Sequence, residues 1–332
     1  MTRNLFFLFL VLFTFTSASA QPRNGAKSPV PIIFDTDMGP DYDDVGAITL
    51  LHALADSGQA RILATIASTK YPKVTQVIDV LNTYFGRPNL PIGVPKGAAV
   101  TDKDTQHWSD TLVAKYPHSV RSNNEVPDAV ALYRQILAKQ PDQSVTIVTV
   151  GFLTNLANLL NSKPDQYSNL SGRELVTRKV KQLVSMAGKF PSGREYNVFK
   201  DTPASKVVFN TWPTPVLLSG FEIGEQIKTG LPLTKNKAIR NSPVKDVFRI
   251  CLPMAKEDNN GRMSWDQTAV LVAIKGPAPY YTVSSGRMTV NNDGSNTWTS
   301  TGKGHQHLVV KMPVPQVQAK INQLMQHQPV KR

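Results

Sequence analysis

The chain has 332 residues and a formal net charge of +13, long enough for an extensive core and strongly basic. Its 37 Lys and Arg are scattered, in runs no longer than pairs such as Arg178-Lys179, with no aromatic-interleaved basic stripe, which argues against a nucleic-acid-binding protein. The single cysteine, Cys251, excludes an internal disulfide.

Residues 1–20 combine Arg3, an apolar run from Leu5 to Phe15 and the tripeptide Ala18-Ser19-Ala20. This pattern predicts a secretory signal peptide cut after Ala20, because a membrane span needs about 20 apolar residues. The product is expected to be exported from a bacterium, periplasmic or secreted, with no membrane span after cleavage. Residues 21–29 are polar with Pro and Gly and read as a leader; residues 30–328 read as one domain.

A β-branched run from Val30 predicts a buried strand ending near Asp37, and Met38-Gly39-Pro40 breaks it. Helical spacing begins at Asp43 and runs to Asp56. Five carboxylates, Asp35, Asp37, Asp41, Asp43 and Asp44, therefore crowd a strand-to-helix turn. A single Asp at a helix start is usually a cap. The helix dipole contributes only about 1 kcal/mol, too little to hold several anions together. Such a group either keeps protons or surrounds a hard cation, Ca²⁺ or Mg²⁺.

Beyond the turn, a strand is expected over Ala60–Ser68, a helix over Val74–Phe85 and a short strand over Leu90–Val94. Residues 98–126 read as a long loop. A helix over Ala129–Lys139 precedes a strand over Ser144–Val150, whose continuous β-branching makes it central. Thr154 and Asn155 are read as capping the helix that follows Gly151. Further strands are expected at Lys181–Met186, Pro215–Ser219, 279–283, 287–291 and 307–311. Helices are expected from Asp201, over 229–260, from Ser264 to Lys275, and from Val314 to Gln326. The alternation predicts an α/β fold: a mainly parallel, open, Rossmann-like sheet flanked by helices, with antiparallel strands added at the C-terminal edge. Ligands of such sheets bind beyond the carboxyl ends of the strands, where the acidic turn lies.

Asp35-Thr36-Asp37-Met38-Gly39, followed after two extra residues by Asp43-Asp44-Val-Gly-Ala-Ile, resembles the inosine–uridine-preferring nucleoside hydrolase family in a divergent form. Gly86-Arg-Pro-Asn-Leu-Pro-Ile-Gly93, Gly151-Phe-Leu-Thr-Asn155, Glu195-Tyr-Asn197 and Trp265-Asp266 continue the resemblance in order. It implies the nucleoside hydrolase fold and a calcium-dependent hydrolase cleaving the N-glycosidic bond of a ribonucleoside or related riboside. A metal-bound water would attack the anomeric carbon, with Asp37 as base. Carried over residue by residue, Asp37, Asp44, Asp266 and the Val150 carbonyl would hold Ca²⁺. Asp43, Met186, Glu195 and Asn197 would meet the sugar, and Lys70 stands where the family offers an Asn. In extended chain Glu195 and Asn197 would point the same way. Trp265 replaces the family's His, cannot deliver a proton usefully at neutral pH, and is expected to stack on a base. The expected partner is a small riboside, and a homo-oligomer is compatible with this reading. Two alternatives were weighed. A haloacid-dehalogenase-like phosphatase would use Asp35 as nucleophile, and a non-catalytic riboside- or sugar-binding protein would use Trp265, Thr69 and Lys189.

Overall fold

Ile32 and Phe34 pack into the core on one face of a central sheet and Ile33 into the core on the other. That is the placement expected of a β-branched run buried on both sides. The arrangement is seen in a computed structural model, which describes residues 28–330. The expected signal peptide at 1–20 and most of the expected leader lie outside the described residues.

The strands are β1 (Val30–Thr36), β2 (Ala60–Ala67), β3 (Ile92–Gly93), β4 (Val145–Thr149), β5 (Val180–Met186), β6 (Ser192–Arg194), β7 (Val216–Ser219), β8 (Lys228–Thr229), β9 (Arg262–Met263), β10 (Tyr281–Val290), β11 (Ser295–Thr299) and β12 (His305–Val310). Ten of them form one sheet in the order β3-β2-β1-β4-β5-β7-β12-β10-β11-β6. From β3 through β12 every neighbouring pair is parallel; β10, β11 and β6 extend the sheet antiparallel. β8 and β9 form a separate antiparallel ribbon. Helices Asp43–Asp56, Val74–Tyr84, Pro243–Cys251, Trp265–Lys275 and Val314–Met325 cover one face. Helices Ala129–Ala138, Thr154–Asn161, Gly172–Lys179 and Thr202–Thr211 cover the other. No helix among the described residues is long and apolar enough to cross a membrane.

The expected α/β sheet with a C-terminal antiparallel extension is the observed architecture, with four local differences. The long loop over 98–126 contains a helix, Trp108–Lys115, anchored by the buried Trp108 and Leu112 four residues on. Two apolar positions leave too little periodicity to read. The strands expected at 279–283 and 287–291 are one continuous strand, β10. Residues 281–286 pair with β12 and residues 287–290 with β11, so the ladder runs through Ser285-Gly286. β12, expected to add antiparallel, runs parallel to β7. Finally, Thr154 and Asn155 do not cap their helix, whose N-cap Leu153 makes no side-chain cap bond.

Asn155 instead reaches into the sheet. Its Nδ2 donates to Asp35 Oδ2 at 2.9 Å and to the Ala67 carbonyl at 2.8 Å, joining β1, β2 and the helix. Asp35 also accepts from Tyr133 Oη at 3.0 Å and Thr149 Oγ1 at 3.1 Å. Asn155→Ala would strip one of these donors from a fully buried carboxyl, which typically costs about 2 kcal/mol. Chemical denaturation checks this: an unchanged midpoint would contradict the role.

Candidate active site

β1 and β4 are neighbours in the middle of the sheet, so their carboxyl ends open side by side. Asp37 follows β1 directly and Val150-Gly151 follows β4. Gly151 permits this closeness: a Cβ there would lie 2.5 Å from the Asp37 nitrogen and 2.4 Å from Ser68 Oγ. Gly151 is thus required by close approach of the two strand ends.

Two helix N-termini converge on the same place. Asp43 and Asp44 begin the helix Asp43–Asp56, and Asp266 lies in the first turn of Trp265–Lys275. Asp43 Oδ2 accepts the backbone N–H groups of Trp265 (3.1 Å) and Asp266 (3.2 Å), so the carboxylate of one helix caps the other. Asp43, Asp44 and Asp266 each offer an oxygen within 4.8 Å of the others. At about 4 Å two unit charges repel by about 4 kcal/mol at an effective dielectric constant near 20. A helix end returns about 1 kcal/mol. Repulsion therefore wins unless protons or a cation intervene.

Burial pushes the Asp44 carboxyl up to about 7, and Asp41 adds to the shift; Thr36 Oγ1 donates to its Oδ1 and opposes it. Burial followed by neighbouring carboxylates holds Asp37, Asp43 and Asp266 well above the ordinary range. For Asp41 desolvation is outweighed by the Arg262 guanidinium, which keeps it low. Arg262 Nη2 donates to both Asp41 oxygens, at 2.6 Å to Oδ2. Asp44 Oδ2 is buried and has no hydrogen-bond partner among the described residues. An orphaned carboxylate oxygen inside an all-oxygen cluster fits a hard cation.

These groups line a cavity of about 310 Å³ with Val150, Met186, Glu195, Tyr196, Asn197, Phe221 and Trp265. Asn197 Nδ2 donates to the Val150 carbonyl at 2.9 Å. Glu195 is extended but Asn197 is already helical, so the two do not share an extended chain. Glu195 caps the short helix Tyr196–Lys200, accepting from the N–H groups of Asn197 (2.8 Å) and Val198 (3.2 Å), and from Gly188 (3.2 Å). Burial raises its carboxyl to about 7 against those donors. Trp265 Nε1 donates to the Phe221 carbonyl at 2.8 Å, and the two rings lie 5.2 Å apart.

The structure thus brings Asp37, Asp43, Asp44, Val150, Met186, Glu195, Asn197, Trp265 and Asp266 to one cavity. Lys70 is not in its lining; its backbone N–H bonds the Val100 carbonyl at 2.8 Å. Asp35 is also outside, its oxygens taken by Tyr133, Asn155 and Thr149, which removes it as a phosphatase nucleophile. Glu222 accepts the Phe190 N–H at 3.0 Å and does not line the cavity. Phe221 and Arg262 carry no local signature, because each acquires its place through long-range contacts.

A family model described as inosine-uridine preferring nucleoside hydrolase matches residues 32–323. A pyrimidine-specific ribonucleoside hydrolase, RihA, from Citrobacter koseri is 26% identical over 234 residues, covering 66% of this chain and 68% of that protein. Among solved structures, a purine-preferring ribonucleoside hydrolase from Gardnerella vaginalis superposes with a TM-score of 0.70 at 18% identity, covering 89% of this chain and 99% of that one. The plant nucleoside hydrolase PpNRh1 gives 0.68 at 19%, covering 90% and 99%. At these identities the structural likeness is one of fold.

The raised carboxyls set a pH dependence. Stability drawn from their neutral forms is fully present below about pH 4, the ordinary carboxylate value, and is lost as pH rises through about 7. The oxygens become free for a cation over the same window. The rise in Tm on adding a divalent cation to chelator-treated protein should be small at pH 5 and large at pH 8. A shift independent of pH in differential scanning fluorimetry would contradict this.

Proposed function

The chain belongs to the inosine-uridine preferring nucleoside hydrolase family, a family of N-glycosyl hydrolases, and from that membership we propose that it hydrolyses the N-glycosidic bond of a ribonucleoside or related riboside with calcium in the acidic cluster. One observation carries the reading. Carboxylates from two helix starts and a strand end meet the strand-end carbonyl of Val150, which the Asn197 amide holds in place, in one cavity beside a further carboxylate.

Asp37, Asp44, Asp266 and the Val150 carbonyl would hold the ion, an all-oxygen set of the kind calcium takes. When bound, the ion supplies positive charge that acidifies a coordinated water and offsets the carboxylates. Asp37 accepts the proton of the attacking water as general base. Asp43 spends Oδ2 on the helix that carries Asp266, and so fixes the direction from which Asp266 approaches. Asn197 donates its amide N–H to Val150 and leaves Oδ1 as an acceptor for a ribose hydroxyl. Glu195 has three of its roughly four lone-pair positions taken by backbone N–H groups, leaving one for a second hydroxyl. Water oxygen joins the anomeric carbon as the C–N bond breaks and its electron pair leaves with the base.

Trp265 supplies no proton, since its indole N–H is bound to the Phe221 carbonyl. The leaving base would meet an aromatic surface of Trp265 and Phe221. For localisation we propose export, with mature protein starting at Gln21; intact mass of protein from a bacterial periplasm would show a different start if this is wrong.

Incubation with Ca²⁺ and a panel of nucleosides, read as reducing sugar released, tests the activity. Asp37→Asn and Asp44→Asn should each lower kcat/KM by about 10³-fold, the scale of a lost general base. Near-native turnover by either variant, or by chelator-treated protein, would falsify the assignment.

A further inference from the structure

Arg262 joins the acidic turn to the aromatic wall of the cavity. Its side chain is 14% exposed. Besides its fork on Asp41, Nε stands 3.6 Å from Asp43 Oδ1 and Nη1 3.7 Å from Asp258 Oδ1. Its guanidinium carbon lies 5.0 Å from the Tyr42 ring centroid and 5.1 Å from that of Trp265. Tyr42 Oη donates to Asp258 Oδ2 at 2.6 Å. One guanidinium is thus set among three carboxylates and two rings.

Each contact matters to the cavity. Asp43 caps the helix that carries Asp266, and Trp265 lines the place left for a base. Gly224 packs closely against Trp265, since a Cβ there would lie 2.4 Å from Trp265 Cα and 2.5 Å from Cδ1. Arg262 itself is placed by the β8–β9 ribbon, where it pairs with Thr229. A guanidinium can stack on flat rings while forking onto a carboxylate; a lysine ammonium offers one point charge and no plane.

We propose that Arg262 is a positioning and specificity-determining residue, which locks Tyr42, Asp43 and the Trp265 indole into one rigid wall so that the cavity receives a planar heterocyclic leaving group by stacking. This rests on the proposed N-riboside hydrolysis. Arg262 does not touch the reacting atoms; its contact with Trp265 acts on substrate binding, and Asp43, 3.6 Å from Nε, keeps its two backbone N–H partners on the helix of Asp266 when the guanidinium is lost.

The test uses Arg262→Gln and Arg262→Lys in the full chain, with Trp265→Phe as reference. The near-ultraviolet circular dichroism of wild type minus Trp265→Phe isolates the band of the ordered indole and needs no substrate. Both Arg262 variants should lose that band. They should also raise KM for a hydrolysed nucleoside about tenfold with kcat within threefold. Asp41→Asn should move KM the same way, and Arg262→Gln/Asp41→Asn should be no worse than Arg262→Gln alone. Retention of the Trp265 band in Arg262→Gln, or a fall in kcat as large as the rise in KM, overturns the proposal. Wild type that turns over no nucleoside counts against the proposed activity instead, while the circular dichroism still decides the role of Arg262.

Discussion

Mutual repulsion of carboxylates in a desolvated pocket is the constraint under which this molecule is built. Asp37, Asp43, Asp44 and Asp266 are all buried, and the one guanidinium nearby is committed first to Asp41. The donors present, the Trp265 and Asp266 N–H groups on Asp43 and Thr36 Oγ1 on Asp44, do not offset burial and mutual repulsion, and the carboxyls stay raised. What the fold supplies is geometry. Parallel strands end at one level, and two helices start there with their positive ends inward. The remaining charge is left for a cation or for protons, and that leftover is the chemical capacity of the site.

Asp35 and Asp37 show how the same residue type serves two ends. They are two positions apart and equally withdrawn from water. Asp35 accepts from a phenol, an amide and a hydroxyl, which tie β1 to β4 and to two helices of one face. Asp37 has carboxylates as its neighbours and opens on the cavity. A buried acid surrounded by donors braces the structure; a buried acid surrounded by acids waits for a ligand. Gly151 lets the two arrangements sit back to back, since any side chain there would push Asp37 out of line.

Much of this was legible in the sequence because it follows local rules. A β-branched run that stops at a Gly-Pro turn and resumes at helical spacing places Asp37, Asp43 and Asp44 together without any knowledge of the rest of the chain. The central place of the strand before Val150 follows from its apolar run, whereas the part given to the Val150 carbonyl came only from the family resemblance. Lys70 did not follow, because its position was inferred from the end of β2 while its direction depends on the path of residues 98–107. The posture of Glu195 and Asn197 was missed for a related reason. A five-residue helix has no period to detect, and Glu195 reads as a ligand-facing acid when it is also a cap. The helix Gly172–Lys179 did carry a signal, Ser171-Gly-Arg-Glu174, and the structure shows the capping box that this spacing encodes.

The site divides into two halves with different origins. The half that carries the acids rests on long regular elements, whose register in a parallel sheet tolerates little change. The half that carries Phe221 and Arg262 rests on short pieces, a four-residue helix, a two-strand ribbon and a 3-10 turn that ends at Asp258, and Trp265 joins it from the first residue of the helix that also carries Asp266. Two of the departures from the family's pattern fall where these halves meet; the third, Lys70, lies outside the cavity lining. The turn is lengthened in the region of Asp41 and Tyr42, and the histidine position holds Trp265. In the chain they are far apart and read as unrelated changes. In space a single guanidinium reaches all three side chains, so the acidic turn and the tryptophan wall are physically joined. A frame that keeps its acids while its short segments are rebuilt can hold one reaction constant and change the leaving group it accepts.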